Sequence, residues 1–139
     1  MTCVFCEIIA GRVAAAIVLD EPEVVAFLDH QPLFPGHVLV TPRTHFPTLA
    51  DVPDEEVAPY FRAVQKISTA VEKAMQADGT FVAINIKISQ SVPHLHAHIV
   101  PRRKGDGLFG KTFQWIRHRY PSEAAMREAQ QAIVAALSQ

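Results

Sequence analysis

Three histidines alternate with apolar residues in the segment Pro93-His94-Leu95-His96-Ala97-His98-Ile99. In an extended strand, side chains at positions i, i+2 and i+4 lie on one face, so the imidazoles share a face and the intervening apolar side chains point into a core. One histidine in such a strand is commonly a packing or surface residue. Three in register are poorly explained that way, because every buried imidazole nitrogen needs a hydrogen-bond partner. The segment therefore predicts a buried strand that carries a functional site.

The composition predicts a single domain over residues 1–139 with one apolar core. The chain has 139 residues, 49% of them hydrophobic, and a formal net charge of −1; a chain of this size suits one domain. No run approaches the roughly 18 apolar residues of a membrane span, and no secretory signal is recognisable, so we expect a cytoplasmic protein with no membrane partner. The near-neutral charge argues against binding a nucleic-acid duplex, although Arg102-Arg103-Lys104 predicts a local positive patch for a few phosphates.

The two cysteines of the chain, Cys3 and Cys6, form a Cys-x-x-Cys pair. In a reducing cytosol this spacing predicts half of a metal site or a redox pair rather than a structural disulfide. A redox pair of the thioredoxin type normally follows a strand and opens a long helix, whereas no strand precedes this pair. Two thiolates supply only half of a tetrahedral zinc shell, so two histidines from elsewhere in the chain have to complete it.

Hydrophobic periodicity predicts an α+β fold with an antiparallel sheet. After a helical turn over residues 3–10, apolar and β-branched runs predict strands at 14–20, 23–29, 37–41, 80–86 and 92–100. Helical spacing over residues 54–77 predicts one long amphipathic helix, with its regular part expected to begin at Pro59 because proline lacks a backbone donor. Ser122 is expected to cap a C-terminal helix. The predicted architecture is a sheet of about five strands with these two helices.

The chain resembles the histidine triad (HIT) family, whose signature His-φ-His-φ-His-φ-φ, with φ apolar, is matched in full by residues 94–100. The resemblance covers most of the chain, through residues 3–11, 26–29, 35–40, 42–45, 85 and 90–92; the C-terminal segment is too generic to count. It implies a HIT-like fold over a single HIT domain. It also implies a homodimer, in which the segment containing Trp115 reaches towards the partner.

The resemblance implies cleavage at the α-phosphorus of a nucleotide, commonly of adenine or guanine, through a covalent nucleotidyl-histidine that water resolves. His96 would be the nucleophile, His98 would bind a nonbridging α-phosphate oxygen, and Ser91 would contact the phosphate and the leaving group. An imidazole attacks only when it is neutral, with the proton of its other nitrogen held by an acceptor. A backbone carbonyl or His37 would supply that acceptor, and the family pattern favours the carbonyl.

The resemblance also assigns residues to a purine nucleotide. Asp29 would accept both ribose hydroxyls, although an aspartate there also suits a turn. The other substrate-binding candidates share an apolar environment for the base or a polar contact with phosphates, and they are Phe5, Phe27, Leu28, Asn85, Gln90, Ser91 and His98. The loop between Asn85 and Gln90 is shorter than in the family and lacks its glycines, and Lys87 within it would add a phosphate contact.

For the branch of the family with an N-terminal Cys-x-x-Cys, the resemblance implies that Cys3, Cys6, His45 and His94 bind a structural zinc ion. Two sulfurs and two nitrogens close a tetrahedral shell, which leaves no position for a reacting water. The alternative is a metal-free pair of thiols with His45 on the surface. The remaining histidines, His30 and His118, match no site and are expected to be surface residues.

Three functions are compatible with these residues. The first is hydrolysis of a nucleoside phosphoramidate or a dinucleoside polyphosphate, with phosphoramidates favoured. The second is a zinc-stabilised nucleotide-binding protein with little turnover. The third is a metallohydrolase with the three triad histidines as ligands, which predicts chelator-sensitive catalysis. Transfer to a sugar phosphate is disfavoured, because related uridylyltransferases resemble two such units in one chain and replace the third histidine, here His98, by Gln.

Overall fold

The structure is a computed structural model that describes residues 2–139. Its elements, in chain order, are α1 (Val4–Ile9), β1 (Ile17–Asp20), β2 (Val24–Leu28), β3 (Val38–Pro42), α2 (Asp54–Ala74), β4 (Gly79–Ile84), β5 (Ala97–Arg102) and α3 (Glu123–Leu137), with a short 3-10 helix at Leu49–Asp51. Ser122 caps α3 as predicted, since its side chain accepts a hydrogen bond from the amide of Ala125. Over these residues, no helix combines the length and apolarity needed to cross a bilayer.

The five strands form one antiparallel sheet in the order β1-β2-β3-β5-β4. β5 is therefore an inner strand, with His98 opposite Leu39 of β3 on one side and opposite Ala83 of β4 on the other. The predicted α+β architecture, an antiparallel sheet with one long helix and a C-terminal helix, is confirmed.

One face of the sheet is covered by α2 and α3. Ala26, Val40 and Ile99 point to this face and are fully buried in its core, as are Leu95 and Ala97. The side chains between the triad histidines therefore enter a core, as the alternating pattern predicted.

The opposite face of the sheet carries the polar residues of interest. Next to them, Phe5 of α1 packs against Val25, Phe27 and Leu39 in a second apolar cluster. Because successive strand residues point to opposite faces, His98 lies on this face while its neighbour Ile99 lies in the main core. The candidate site is thus on the face that the two long helices leave open.

Among the boundaries that differ from the sequence prediction, two bear on the site and its support. α2 begins at Asp54 rather than Pro59, because acidic residues in its first turn favour a helix start and Pro59 removes only one hydrogen bond. β5 begins at Ala97, so His94 and His96 precede the strand instead of lying within it. The ladders on both sides of β5 end at Ala97, which pairs with Val40 of β3 and with Ile84 of β4. Leu95 donates instead to the carbonyl of Phe46, at 2.7 Å.

Because α3 packs on the core, substitutions at two adjacent positions of this helix are expected to change the free energy of unfolding by very different amounts. Ile133 is fully buried, whereas the side chain of Val134 is 40% exposed. Ile133→Ala is expected to lower the free energy of unfolding by about 2–5 kcal/mol because it leaves a cavity, and Val134→Ala by about 0.5 kcal/mol or less. Urea unfolding of the two variants measures both values, and equal losses would contradict this docking.

Candidate functional site

A hydrogen bond to the backbone fixes the ring of His96. Its Nδ1 lies 2.8 Å from the carbonyl oxygen of His94, and a carbonyl can only accept, so Nδ1 carries the proton. The pKa of His96 is lowered, mainly by burial of the ring. The ring is therefore neutral at pH 7. Nε2 is left with a free lone pair. Of the two acceptors considered from the sequence, the carbonyl is the one in contact.

His37 instead fixes the ring of His98. The amide of Leu33 donates to His37 Nδ1 at 3.0 Å, so the proton of a neutral His37 is on Nε2. That Nε2 donates to Nδ1 of His98 at 3.0 Å. His98 must therefore carry its own proton on Nε2, where it is a donor. Burial lowers the pKa of His98 to about 3 and holds the pKa of His37 well below its usual range, so both rings stay neutral.

His96 and His98 border a cavity of about 500 Å³, which we call the base cavity. This volume is within the range of small-ligand sites. Its wall is mostly apolar and comes from α1, residues 13–16, β2 and β3, and its polar side chains are those of Asp29, His30, Ser91, His96, His98 and Arg117. The sequence candidates Phe5, Phe27 and Leu28 also line it. Phe5 contacts His96 edge-on, with ring centroids 5.0 Å apart.

Asp29 lies in the wall of the base cavity and is 3% exposed. Burial raises the pKa of its carboxyl, and the amide of Gln31, which donates to Oδ1 at 2.9 Å, acts against that rise. The amide occupies only part of the lone-pair capacity of the carboxylate. Asp29 can therefore still accept hydrogen bonds from a ligand.

The polar candidates that follow β4 separate into two groups. Ser91 lines the base cavity and a second cavity, and Asn85 lines only the second. Gln90 lines neither cavity. Its side-chain oxygen accepts a hydrogen bond from the amide of Lys87 at 2.9 Å, and its side-chain nitrogen donates one to the carbonyl of Pro47 at 2.6 Å. Lys87 is exposed and also lies outside both walls. The structure therefore brings Ser91 and Asn85, but neither Gln90 nor Lys87, to the cavities.

The four residues suggested for zinc lie together. The ligand atoms of Cys3, Cys6, His45 and His94 are all within 4.8 Å of one another. His94 donates through Nε2 to the carbonyl of Pro42 at 2.8 Å, which leaves its Nδ1 free to face the sulfurs at 3.5 and 3.6 Å. Nδ1 of His45 lies 3.4 Å from the sulfur of Cys6. In a tetrahedral shell with zinc–sulfur and zinc–nitrogen bonds of about 2.3 and 2.0 Å, a sulfur and a nitrogen ligand are about 3.5 Å apart. The observed sulfur–nitrogen distances therefore fit a zinc ion.

One expectation for the C-terminal half is corrected, and another stays a prediction. Arg102, expected in a positive patch for phosphates, pairs with Asp106 through contacts of 2.7 and 2.9 Å and so closes its own turn. The contact of Trp115 with a partner subunit stays a prediction; within its own chain, the side chain is half-buried against His98, with ring centroids 4.7 Å apart. His118 is exposed, as expected, whereas the exposed His30 also borders the base cavity.

Sequence reasoning missed Arg117, which lines both cavities. Its Nη1 lies 3.9 Å from Oδ1 of Asp29, and the side chain is 39% exposed. Arg117 lies in an irregular segment with no periodicity and outside the motifs that carried the resemblance. No sequence signal distinguished it from the other arginines.

The depressed pKa of His98 predicts a loss of stability at low pH. The unfolded residue takes up a proton near pH 6.5, whereas the folded residue takes it up at about pH 3. The contribution of His98 is therefore complete above about pH 7 and falls by about 1.4 kcal/mol per pH unit below 6.5. His98→Gln, which stays neutral, is expected to lose less stability than the unmodified protein between pH 7.5 and 5. Urea unfolding in the same buffers measures the difference between them, and a difference that does not change with pH would contradict the buried neutral state.

Comparison with known proteins identifies relatives over the whole chain. Residues 10–105 match the model of the HIT domain family. An uncharacterized HIT-like protein of Saccharolobus solfataricus is 43% identical over 138 residues, which cover 97% of each chain. A protein of Arabidopsis thaliana named adenylylsulfatase is 36% identical over 109 residues, covering 77% of this chain and 55% of its own.

The fold comparison agrees with the sequence comparison. The crystal structure of a zinc-bound histidine triad family protein from Mycobacterium smegmatis superposes with a TM-score of 0.84 and 36% identity, covering 100% of this chain and 95% of the other. The HIT-like fold is therefore confirmed together with the sequence motif that predicted it. By its sequence, by its fold and by its triad of histidines, this chain belongs to the HIT family.

Proposed function

We propose that this protein hydrolyses a nucleotide at its α-phosphorus through a covalent nucleotidyl intermediate on His96. The observation that carries the proposal is the tautomer of His96, whose Nδ1–H is held by the carbonyl of His94 at 2.8 Å beside a cavity of nucleotide size. A neutral ring with one free nitrogen is the form that attacks phosphorus. The name of the Arabidopsis relative supports hydrolysis as the reaction class.

The reaction proceeds in two displacements. Nε2 of His96 forms a bond to the α-phosphorus while the bond to the leaving group breaks, and the leaving group departs with the electron pair. A phosphate leaves as the anion, and an amine takes up a proton from water. Water then attacks the same phosphorus, the phosphorus–nitrogen bond breaks, and a nucleoside monophosphate and a proton are released. The ring recovers its lone pair, so the enzyme is unchanged.

The surrounding residues assist this chemistry by position. His98 presents an Nε2–H donor, fixed by the chain from Leu33 through His37, for a nonbridging oxygen whose charge grows in the transition state. Asp29 accepts hydrogen bonds from the ribose hydroxyls of a purine nucleotide, and the apolar wall around Phe5 holds the base. Ser91 lies at the border of both cavities, where the phosphate and the leaving group meet.

We also infer that Cys3, Cys6, His45 and His94 hold a structural zinc ion, as supported by their donor distances and by the zinc-bound relative. Bound there, the ion supplies a rigid link between α1 and the segment that precedes β5. His94 contributes a ligand through its ring and an acceptor for His96 through its carbonyl. The residues of the zinc shell therefore position the nucleophile without contacting the substrate.

The competing functions have weaker support. A metallohydrolase needs the triad histidines to converge on one ion, but the two clusters of potential metal ligands within residues 2–139 are Cys3-Cys6-His45-His94 and Asp29-His37-His98. Neither cluster contains two members of the triad. A nucleotide-binding protein with little turnover needs the same cavity but gives no reason for the fixed tautomers of His96 and His98.

The homodimer expected from the sequence stays a prediction, as does the cytoplasmic location. In the sheet, β4 is an edge strand; Val82 within it is 44% exposed, and Ile86, two residues after its end, is 46% exposed. An edge strand with exposed apolar side chains is a template for pairing with another chain. This edge is therefore where we place the contact between two subunits.

His96→Ala is expected to lower turnover by at least about a thousandfold, because it removes the nucleophile, while the Kd for a nucleotide changes by less than about tenfold. Incubation with a nucleotide labelled at the α-phosphorus, followed by denaturation, is expected to leave label on the unmodified protein and none on His96→Ala. The exposed His118 provides the matched control, since His118→Ala should be labelled normally. Equal labelling of His96→Ala would exclude His96 as the nucleophile, and a protein that binds nucleotide but is never labelled would favour the binding function.

Cys6→Ser is expected to lose zinc and to unfold at a lower temperature, because one thiolate of the tetrahedral shell is missing. Elemental analysis of purified protein should give one zinc per chain for the unmodified protein and well below one for the variant. His118→Ala again serves as the control and should retain the ion. Full zinc occupancy in Cys6→Ser, or an unmodified protein without zinc after growth in zinc-supplemented medium, would contradict the assignment.

A further inference from the structure

The short helix α1 contributes residues to two sites. Cys3, its N-cap residue, and Cys6, which together we call the cysteine pair, are two of the four side chains that fit zinc. Val4, Phe5 and Ile8 line the base cavity. Half of the zinc shell and part of the wall against which a base would pack therefore belong to one element.

α1 depends on two anchors. It has six residues, and an isolated helix of fewer than about 12 residues is marginal in water. Within Val4–Ile9 only Phe5 is buried, in the second apolar cluster, whereas Val4 is 45% exposed. The other anchor is the cysteine pair, whose sulfurs face Nδ1 of His94 at 3.5 and 3.6 Å. The position of the N-terminal part of this wall therefore depends on the cysteine pair.

The cysteine pair is also placed to form a disulfide. The amide of Cys6 donates to the sulfur of Cys3 at 3.5 Å, and the two sulfurs are within 4.8 Å of each other. Neither side chain is buried, so a small oxidant can reach both. Zinc binds thiolates, and a sulfur in a disulfide is no longer one. The zinc-bound form and the disulfide form of the pair therefore exclude each other.

We propose that a peroxide oxidises the cysteine pair to a disulfide, which releases the zinc ion and lowers the affinity of the base cavity for a nucleotide. This inference rests on the proposed function, which supplies both the ion and the nucleotide. The two thiolates give up two electrons and form the sulfur–sulfur bond. Hydrogen peroxide takes up these electrons and two protons, its oxygen–oxygen bond breaks, and two molecules of water form. Without the ion, α1 is no longer tied to His45 and His94, and the wall at Val4 loosens.

The proposed nucleophile does not depend on this tie. His94 is fully buried and also donates through Nε2 to the carbonyl of Pro42 at 2.8 Å. Its own carbonyl therefore continues to accept from Nδ1 of His96 when the sulfurs are withdrawn. We expect oxidation to raise the Kd for a nucleotide while the rate of labelling of His96 at saturating nucleotide changes by less than about threefold. General unfolding would lower both.

The test measures the Kd for AMP in the His96→Ala background, where no turnover interferes. Zinc-loaded protein is compared before and after treatment with hydrogen peroxide, and after removal of zinc by a chelator with the thiols kept reduced. Peroxide is expected to remove both free thiols, to release the zinc to a metal-sensitive dye, and to raise the Kd about tenfold, within the usual range of coupling between two sites. Chelation should raise the Kd by the same factor. Because coupling is reciprocal, saturating AMP should also tighten zinc binding about tenfold.

Two controls distinguish the cysteine pair from other targets of peroxide. Met126 also lines the base cavity, but methionine sulfoxide is restored by dedicated reductases. Recovery of the original Kd with dithiothreitol and zinc therefore assigns the effect to the cysteine pair. The double variant Cys3→Ser, Cys6→Ser is expected to bind AMP about tenfold more weakly before treatment and to show no reversible response to peroxide.

The outcomes separate this inference from the proposed function. Release of zinc with an unchanged Kd, or retention of zinc after both thiols are lost, overturns the inference and leaves the hydrolase standing. A labelling rate at saturating nucleotide that falls as much as the affinity also overturns it, because the effect would then not be confined to the wall. If the Kd responds as expected but the unmodified protein is never labelled on His96, the hydrolase is wrong and the inference stands.

Discussion

The ring and the backbone carbonyl of His94 connect the parts of this site. Its ring lies between the carbonyl of Pro42 and the two cysteine sulfurs, and its own carbonyl holds the proton of His96. A displacement of this one residue would therefore disturb both α1 and the ring of His96. His94 is fully buried, and Leu95, next in the chain, is fully buried in the main core. Packing of an apolar neighbour thus holds the carbonyl that fixes the tautomer of His96.

Burial has the same consequence for the other histidines of the site. Removal from water disfavours a charged ring, and the pKa values of His37, His94, His96 and His98 are all lowered for this reason. Neutral rings have one donor and one acceptor each, so the backbone groups of Leu33, Pro42 and His94 select the tautomers. The result is one free nitrogen on His96 and one donor on His98. A nucleotidyl transfer to imidazole needs both.

Much of this arrangement was predictable from the sequence. Alternation of histidine with apolar residues indicates that Leu95, Ala97 and Ile99 face a core, and this holds even where the backbone has left the strand. The order of the elements follows from periodicity and from breakers, since strands, helices and caps are local properties of the chain. The prediction that β5 includes His94 and His96 was wrong, because strand length depends on the neighbours: the ladders with β3 and β4 both end at Ala97, and the amide of Leu95 bonds to the carbonyl of Phe46 instead.

The sequence by itself determined the α+β architecture and the faces on which the histidines and the apolar residues lie, and its resemblance to the family indicated the four residues that fit zinc. Only the tertiary structure decided which acceptor each imidazole uses, that Gln90 is tied to Pro47 instead of facing a cavity, and that Arg117 lies between the two cavities. The physical reason is the range of the forces involved. Secondary structure and face alternation follow from residues a few positions apart, whereas tautomers and cavity walls depend on groups brought together from distant parts of the chain, such as His37 and His98.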